Sequence, residues 1–394
     1  MGITISRRVA SIAAAAAVSG LVLAGCSTVK NIFGSRGKDK SAEPTPLVQI
    51  TPSVSVNRLW TASLGKGEEK LGIGQHPTIL DGRVYAAAVS GGVTALDLST
   101  GAVAWNYASD LPLSGGPGAG EGLVVVGSLE GDVIALDSAT GAEKWTAKVS
   151  NEVIAAPAIN GGAVYVQSND GRVTAFDAAT GSRRWFYSSD MPALTVRGTA
   201  GVTPGPGLVF VGNDNGKLTA LNAADGAALW SAAVAEPEGR SELERMADVD
   251  AAPVLDNTTL YATSHKNKTV AIDGPSGQVM WVGEAGGARG LGLSNSAIVV
   301  TDRSGNVSGL DRNSGVSLWK QVGLLNRNVS APTVQGDYAV VGDFDGVVHW
   351  LRLNDGAFAA RSNLGAAITG KPVESNGIVV VQTVEGQLSA FSLQ

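Results

Sequence analysis

Asp97, Asp137, Asp177, Asp273 and Asp311 recur at one place in a repeated sequence, and regularly spaced carboxylates are what acid–base catalysis or metal binding would use. The strings that hold them are alike: ALDSATGAEKW ends at Trp145, AFDAATGSRRW at Trp185 and AIDGPSGQVMW at Trp281. Asn222 and Arg352 stand at that place in two other copies. An Asp just ahead of a Thr-Gly or Ser-Gly turn also has a simpler use, accepting backbone N–H groups across the turn. The spacing therefore points to turn geometry rather than to a catalytic ring.

Other reactive residue types are sparse. The three histidines, His76, His265 and His349, show no H-E-x-x-H or comparable metal spacing, and G-x-S-x-G is absent. NDNG at Asn213–Gly216 and DFDG at Asp343–Gly346 look superficially like Ca²⁺ loops but lack the spaced acids and distal Glu of an EF-hand, so both read as hairpin turns. The glycine clusters GGPGAGEG and GGARGLGLS do not sit between a strand and an amphipathic helix, so a dinucleotide site fails on context. Cys26 is the only cysteine, which excludes an intramolecular disulfide and a cysteine-based metal cluster. A net charge of −6 argues against a general nucleic-acid binder.

The elements that must position these residues come in copies. Each copy opens on an apolar segment with Pro or Gly (HPTILDG, AAPAINGG, SAPTVQGD) and continues with a Val/Tyr-rich run such as AVYVQSN. An alternating run such as RVTAFD follows, then a strand that ends in Trp. Four short β-rich runs per copy, recurring roughly every 40 residues with Gly, Asn and Asp between them, are the pattern of propeller blades. Gly91, Gly131, Gly171, Gly216, Gly305, Gly346 and Gly386 mark one turn, with Asn267 in their place once, because Gly and Asn tolerate the positive φ of tight hairpins. A second series, Gly101, Gly141, Gly181, Gly226, Gly277, Gly315 and Gly356, marks the next. The repeated Trp reads as a wedge between blades. Ala360 takes its place in the seventh copy, so that junction must pack differently. His349 and Trp350 beside it read as structural.

Seven complete copies run from His76 to Arg361, and an eighth stops before its Trp strand. The missing strand is found at the other end, in RLWTASL with Trp60. The expected fold is all-β: an eight-bladed propeller of four-stranded antiparallel blades over residues 56–394, closed by the N-terminal strand completing the last blade. Ahead of it, residues 1–25 read as a signal peptide, with Arg7 and Arg8, an apolar stretch too short to span a bilayer, and small residues before Cys26. Residues 26–55, polar and Pro-bearing, read as a flexible tether.

Two resemblances follow from these motifs. D-x-x-T-G-x-x-x-W resembles the tryptophan-docking motif of quinoprotein alcohol dehydrogenases, which hold pyrroloquinoline quinone in an eight-bladed propeller. Their adjacent-cysteine disulfide cannot form here, so a quinone-dependent dehydrogenase is kept only as the alternative, with a sensor or carbohydrate-binding propeller behind it. The Leu23-Ala24-Gly25-Cys26 ending resembles a bacterial lipobox, which implies lipid on Cys26; Ser27, where an Asp would imply retention at the inner membrane, implies passage to the outer membrane. Together with MPALTVRGTAGVTP, the long charged loop EPEGRSELERMADVDAAP and VVGDFDGVVHWL, the chain resembles the BamB family of outer-membrane β-barrel assembly lipoproteins.

That resemblance implies a non-catalytic scaffold without cofactor or metal, lipid-anchored at the periplasmic face of the outer membrane. Its implied partners are the POTRA domains of BamA, within the β-barrel assembly complex, and unfolded outer-membrane proteins that pair with blade edges. The family's contact surface maps to Leu194, Val196, Arg197, Asp248 and Asp250, with Val196 where Leu is common. An apolar pair beside an Arg, near two acids, has the mixed character of an interface centre. A salt bridge from Arg197 to Asp248 or Asp250 that merely ties down the loop is the structural alternative. Glu242, Glu244 and Arg245 are expected in a short helix, with Ser241 as N-cap and Glu244 completing a capping box.

Overall fold

Alternation of buried and exposed side chains marks the outermost strands of most blades. In Arg183–Ser188 the indole of Trp185 points inward while Arg183, Arg184 and Phe186 face water. The two middle strands of the same blade, Ala163–Ser168 and Arg172–Asp177, are buried on both faces because they lie between neighbouring blades. The computed structural model describes residues 43–65, 67, 71–195, 198 and 200–394. Among them are eight four-stranded antiparallel sheets, one per sequence copy, arranged as a propeller ring. In seven sheets the strands follow chain order, and in the eighth Val56–Ser63 pairs with Gln387–Leu393 as the outermost strand. The first strands of most successive blades meet around the axis, those of the eighth and first included, so the ring is closed.

The wedge role of tryptophan has two parts. Each ring lies on the second-series glycine of the next blade, Trp185 on Gly226 and Trp281 on Gly315 for example. The indole N–H also donates to a carbonyl there, from Trp145 to Ala178 at 2.8 Å and from Trp319 to Leu353 at 2.7 Å. The second glycine is thus constrained twice, by a left-handed backbone and by the ring that its Cβ would strike. At Gly226, φ is +76° and a Cβ would come within 2.5 Å of the Trp185 ring. At Gly122, φ is +77° with open space around it. Gly226→Ala is accordingly expected to cost about 2–4 kcal/mol by thermal unfolding, and Gly122→Ala only the backbone share, about 1–2 kcal/mol.

The exceptional junction of blade seven is filled from the neighbouring strand. Trp350 lies in register with Ala360, is fully buried, donates its indole N–H to Gln335 Oε1 at 2.7 Å and meets Phe391 edge-on at 5.5 Å. Under it, Asp343 caps the turn by accepting Asp345 N–H (3.0 Å) and Val347 N–H (2.9 Å) on Oδ1. Its Oδ2 takes Arg327 Nε–H at 2.8 Å and His349 Nε2 at 3.0 Å. The DFDG acids are therefore engaged in a turn and an ion network.

Part of the segment assigned to the tether packs against blade seven. Arg327 and Arg361 donate to the carbonyls of Thr45 (3.2 Å) and Val48 (2.6 Å), Ser53 N–H donates to Ala359 at 2.9 Å, and Leu47 and Val54 cover apolar clusters. Residues 1–42, with the expected signal peptide, Cys26 and Ser27, lie outside the described residues.

Candidate functional site

The repeated aspartates behave as turn residues. Asp137 Oδ1 accepts Ala139 N–H at 3.1 Å and Thr140 N–H at 3.0 Å, and Asp97 and Asp177 do the same in their blades. Such bonds favour the charged form: Asp97 is drawn down to about 2 by Ser99 and Thr100, and Asp137 to about 2 by Lys144 first and then Thr140. Carboxyls held this low are poor proton carriers near neutrality.

A different carboxylate cluster forms where the insertions of blade four meet blade five. The loop after Trp230 passes through a single-turn helix, Glu242–Arg245, with the full capping box: Glu244 N–H donates to Ser241 Oγ at 3.3 Å, and the Glu244 carboxylate accepts Ser241 N–H at 3.1 Å. Glu242, Leu243, Glu244 and Arg245 are all exposed, and Arg245 pairs with Glu242 at 3.1 Å. The chain then turns inward, burying Met246–Val249. Val249 N–H donates to Asn213 at 3.2 Å on blade four, and the Asp248 carbonyl accepts His265 N–H at 2.8 Å on blade five. Gly212 is required here, since a Cβ would lie 2.6 Å from the Val249 carbonyl.

This path brings the LTVRG and DVD stretches together. Gly198, next to Arg197, faces Asp250 so closely that a Cβ on it would sit 3.3 Å from the Asp250 carboxyl carbon. Leu194 is 41% exposed, and Met191 and Leu243 are further apolar side chains in water on the same two insertions. Asp250 is half-buried, with both carboxyl oxygens lacking a hydrogen-bond partner among the described residues. Asp248 has no exposed surface. Val196 and Arg197, expected at the centre of this surface, lie outside the described residues.

Asp214 joins the cluster, a member that sequence reading took for a plain hairpin turn. Burial, and then the charge of Asp248, raises its carboxyl to about 6; burial, Asp248 and Asp214 raise that of Asp250 well above the usual range. A signal for it was present. Asp214 stands two residues before the turn glycine, where the other copies carry Val89, Leu129, Asn169, His265, Arg303, Phe344 and Val384. Two carboxyls held against their own ionisation, those of Asp214 and Asp250, make a surface that gains from a cation supplied from outside.

The profile of the family described as outer membrane protein assembly factor BamB matches residues 54–113, 108–321 and 304–394. The chain is 54% identical over 392 residues to the outer membrane protein assembly factor BamB of Xanthomonas campestris pv. campestris, covering 96% of each chain. It is similar to the crystal structure of BamB from Moraxella catarrhalis, with a TM-score of 0.78 and 27% identity, covering 86% of this chain and 100% of that one. The quinohemoprotein alcohol dehydrogenase of Comamonas testosteroni matches with a TM-score of 0.67 at 14% identity, over 88% of this chain and 78% of that one, which is likeness of fold alone.

Proposed function

The chain belongs to the family of outer membrane protein assembly factor BamB, and from that membership we propose that it is a non-catalytic scaffold that docks on the POTRA domains of BamA. Lipid on Cys26 holds it at the periplasmic face of the outer membrane. Residues 1–25 are the signal peptide that this anchoring requires, and residues 56–394 form the docking propeller.

The observation that carries the docking surface is Asp250, a carboxyl with no hydrogen-bond partner among the described residues, set against Gly198 of the LTVRG stretch. Leu194 and Val196 supply apolar contact, Arg197 reaches an acid or carbonyl of the partner, and Asp214, Asp248 and Asp250 present the negative potential that receives a basic side chain. The work asks for no chemistry from the propeller. The repeated aspartates are occupied with turns, and His349 is taken up by Asp343. The outermost strand of each blade, Ala228–Ala233 for one, pairs on one side only, which is the geometry that strand addition by unfolded outer-membrane proteins needs.

The test is capture of residues 27–394 on the immobilised periplasmic region of the matching BamA. Arg197→Ala and Asp248→Ala, each shown to keep a cooperative thermal transition, are expected to weaken capture about 30-fold, the scale of an interface hot spot. The pH dependence has a definite sign. A partner cation favours the ionised acids, and Asp214 holds its proton up to about pH 6, so capture strengthens as pH rises from 5.5 to 7.5. A wild-type chain that is not captured, or variants captured as well as wild type, would sink the reading.

A further inference from the structure

The innermost segments of the blades meet at the axis, and one position of the repeat faces its neighbours there. Strand register makes His76, Gly116, Ala156, Gly201, Ala252, Gly290, Ala331 and Lys371 equivalent. Six are Gly or Ala, and the two large exceptions, His76 and Lys371, stand side by side across the junction of blades one and eight. The approach is tight: a Cβ on Gly370 would lie 1.9 Å from the Gln75 carbonyl, and one on Gly116 2.3 Å from that of His76.

Lys371 does not turn outward to water. Its ammonium reaches past blade seven to the carbonyl of Leu291 in blade six, at 2.8 Å. That bond uses one of three donors. The His76 ring makes only a 3.2 Å contact to the carbonyl of Pro77, next to it in the chain. Both side chains lie deep yet keep some water-accessible surface, as groups lining an axial opening do. Burial draws Lys371 down to about 8, and burial and then Lys371 lower His76. Among the described residues, His76 is the titratable group that faces Lys371. Arg289, near Leu291, is exposed and bound to Asn328 Oδ1 at 2.5 Å.

A buried ammonium with a carbonyl and an imidazole for neighbours, and no carboxylate acting on it among the described residues, is a charge lacking its counter-ion there. We propose that Lys371 and His76 form an axial binding site for a small oxyanion, a sulfate-, phosphate- or carboxylate-type group taken from solution. The ammonium supplies the charge and the two donors that the Leu291 carbonyl does not use, and the His76 imidazole lies beside it. The six equivalent positions of the other blades carry only Gly or Ala. The site lies apart from the docking surface and does not depend on it.

Calorimetric titration with sulfate, whose charge is constant across the range, tests this at fixed ionic strength in chloride, with acetate in parallel for the carboxylate class. The expected result is saturable binding near pH 7 that weakens about tenfold per unit above pH 8, as the ammonium loses its proton. Lys371→Met is expected to lose at least tenfold in affinity while Lys371→Arg retains binding. The pH profile of the wild-type chain requires no variant, so misfolding of either variant does not blunt the test. Absence of saturable binding by either anion, a flat profile from pH 7 to 9, or wild-type affinity in Lys371→Met would overturn the proposal.

Discussion

A chain cut to begin at Gly65 is expected to lose the propeller, while one beginning at Thr45 keeps it. The cut removes Val56–Ser63, whose seven paired residues from Val56↔Leu393 to Ser63↔Gln387 complete the last blade. With it goes Trp60, whose ring packs on Gly101 and whose indole N–H bonds the Leu98 carbonyl at 2.8 Å. Arg58, which ties to the Asn363 carbonyl at 2.8 Å, is also lost. Deleting a buried Trp alone costs about 3–5 kcal/mol, and a folded domain has only about 5–15 kcal/mol to lose. The cut also leaves Gln387–Leu393 as an unpaired edge, a template for association. Gel filtration should show aggregates with no cooperative melting transition. A chain beginning at Val56 is the intermediate case: it loses the Thr45, Val48 and Ser53 contacts to blade seven and should melt a few degrees lower. An unchanged melting curve for the cut at Gly65 would mean that the ring closes without its N-terminal strand.

Asp343→Ala is expected to be the most damaging single substitution, at about 3–5 kcal/mol, because it strips a buried ion network of its only anion that is fully out of water. Arg327 would keep Asp345, but its Nε–H would be left buried, and the turn would lose the acceptor for Val347 N–H. Asp343→Asn, which keeps an acceptor, should cost less. The protonation states are coupled. Burial pushes the Asp343 carboxyl up, but His349, Val347 and Arg327 outweigh it and hold it below its ordinary value. Burial holds His349 neutral, with Nε2–H donated to Asp343 and Nδ1 accepting Arg361 Nε–H at 3.1 Å. Both folded values lie below their unfolded ones, near 3.8 and 6.5, so both contributions are complete above pH 6.5. The share from His349 fades as pH falls below 6.5, and that from Asp343 as it falls below 3.8. Urea unfolding from pH 8 to 4 should follow that course in the wild type and a flatter one in His349→Gln. Equal stability of Asp343→Ala and wild type would show the network to be worth nothing net.

What was legible in the chain was local in cause. The turn glycines, Asn267 at φ +57°, the aspartate turns and the Ser241–Glu244 capping box each depend on residues within a few positions, so the string itself carries them. Copy number and the stray Trp60 strand were enough to derive eight blades and their closure, since a sheet left short of a strand has an open edge. The carboxylate cluster was legible in part. The DVD and LTVRG stretches stood out as departures from the repeat, but the contact between Asp250 and Gly198 joins segments that only folding apposes.

The sequence by itself thus determined the blade, its turns and the number of its copies, because hydrogen bonds and φ preferences inside one repeat act over short range. Only the tertiary structure decided which side chains become neighbours across blades. Trp350 fills the space left by Ala360, and Asp214 raises the charge of a cluster whose other members lie more than thirty residues away. Lys371 meets His76, nearly three hundred residues distant, because ring closure places the last blade against the first. Burial and Coulomb interactions depend on distance in space, and in a closed ring that distance has little relation to separation along the chain.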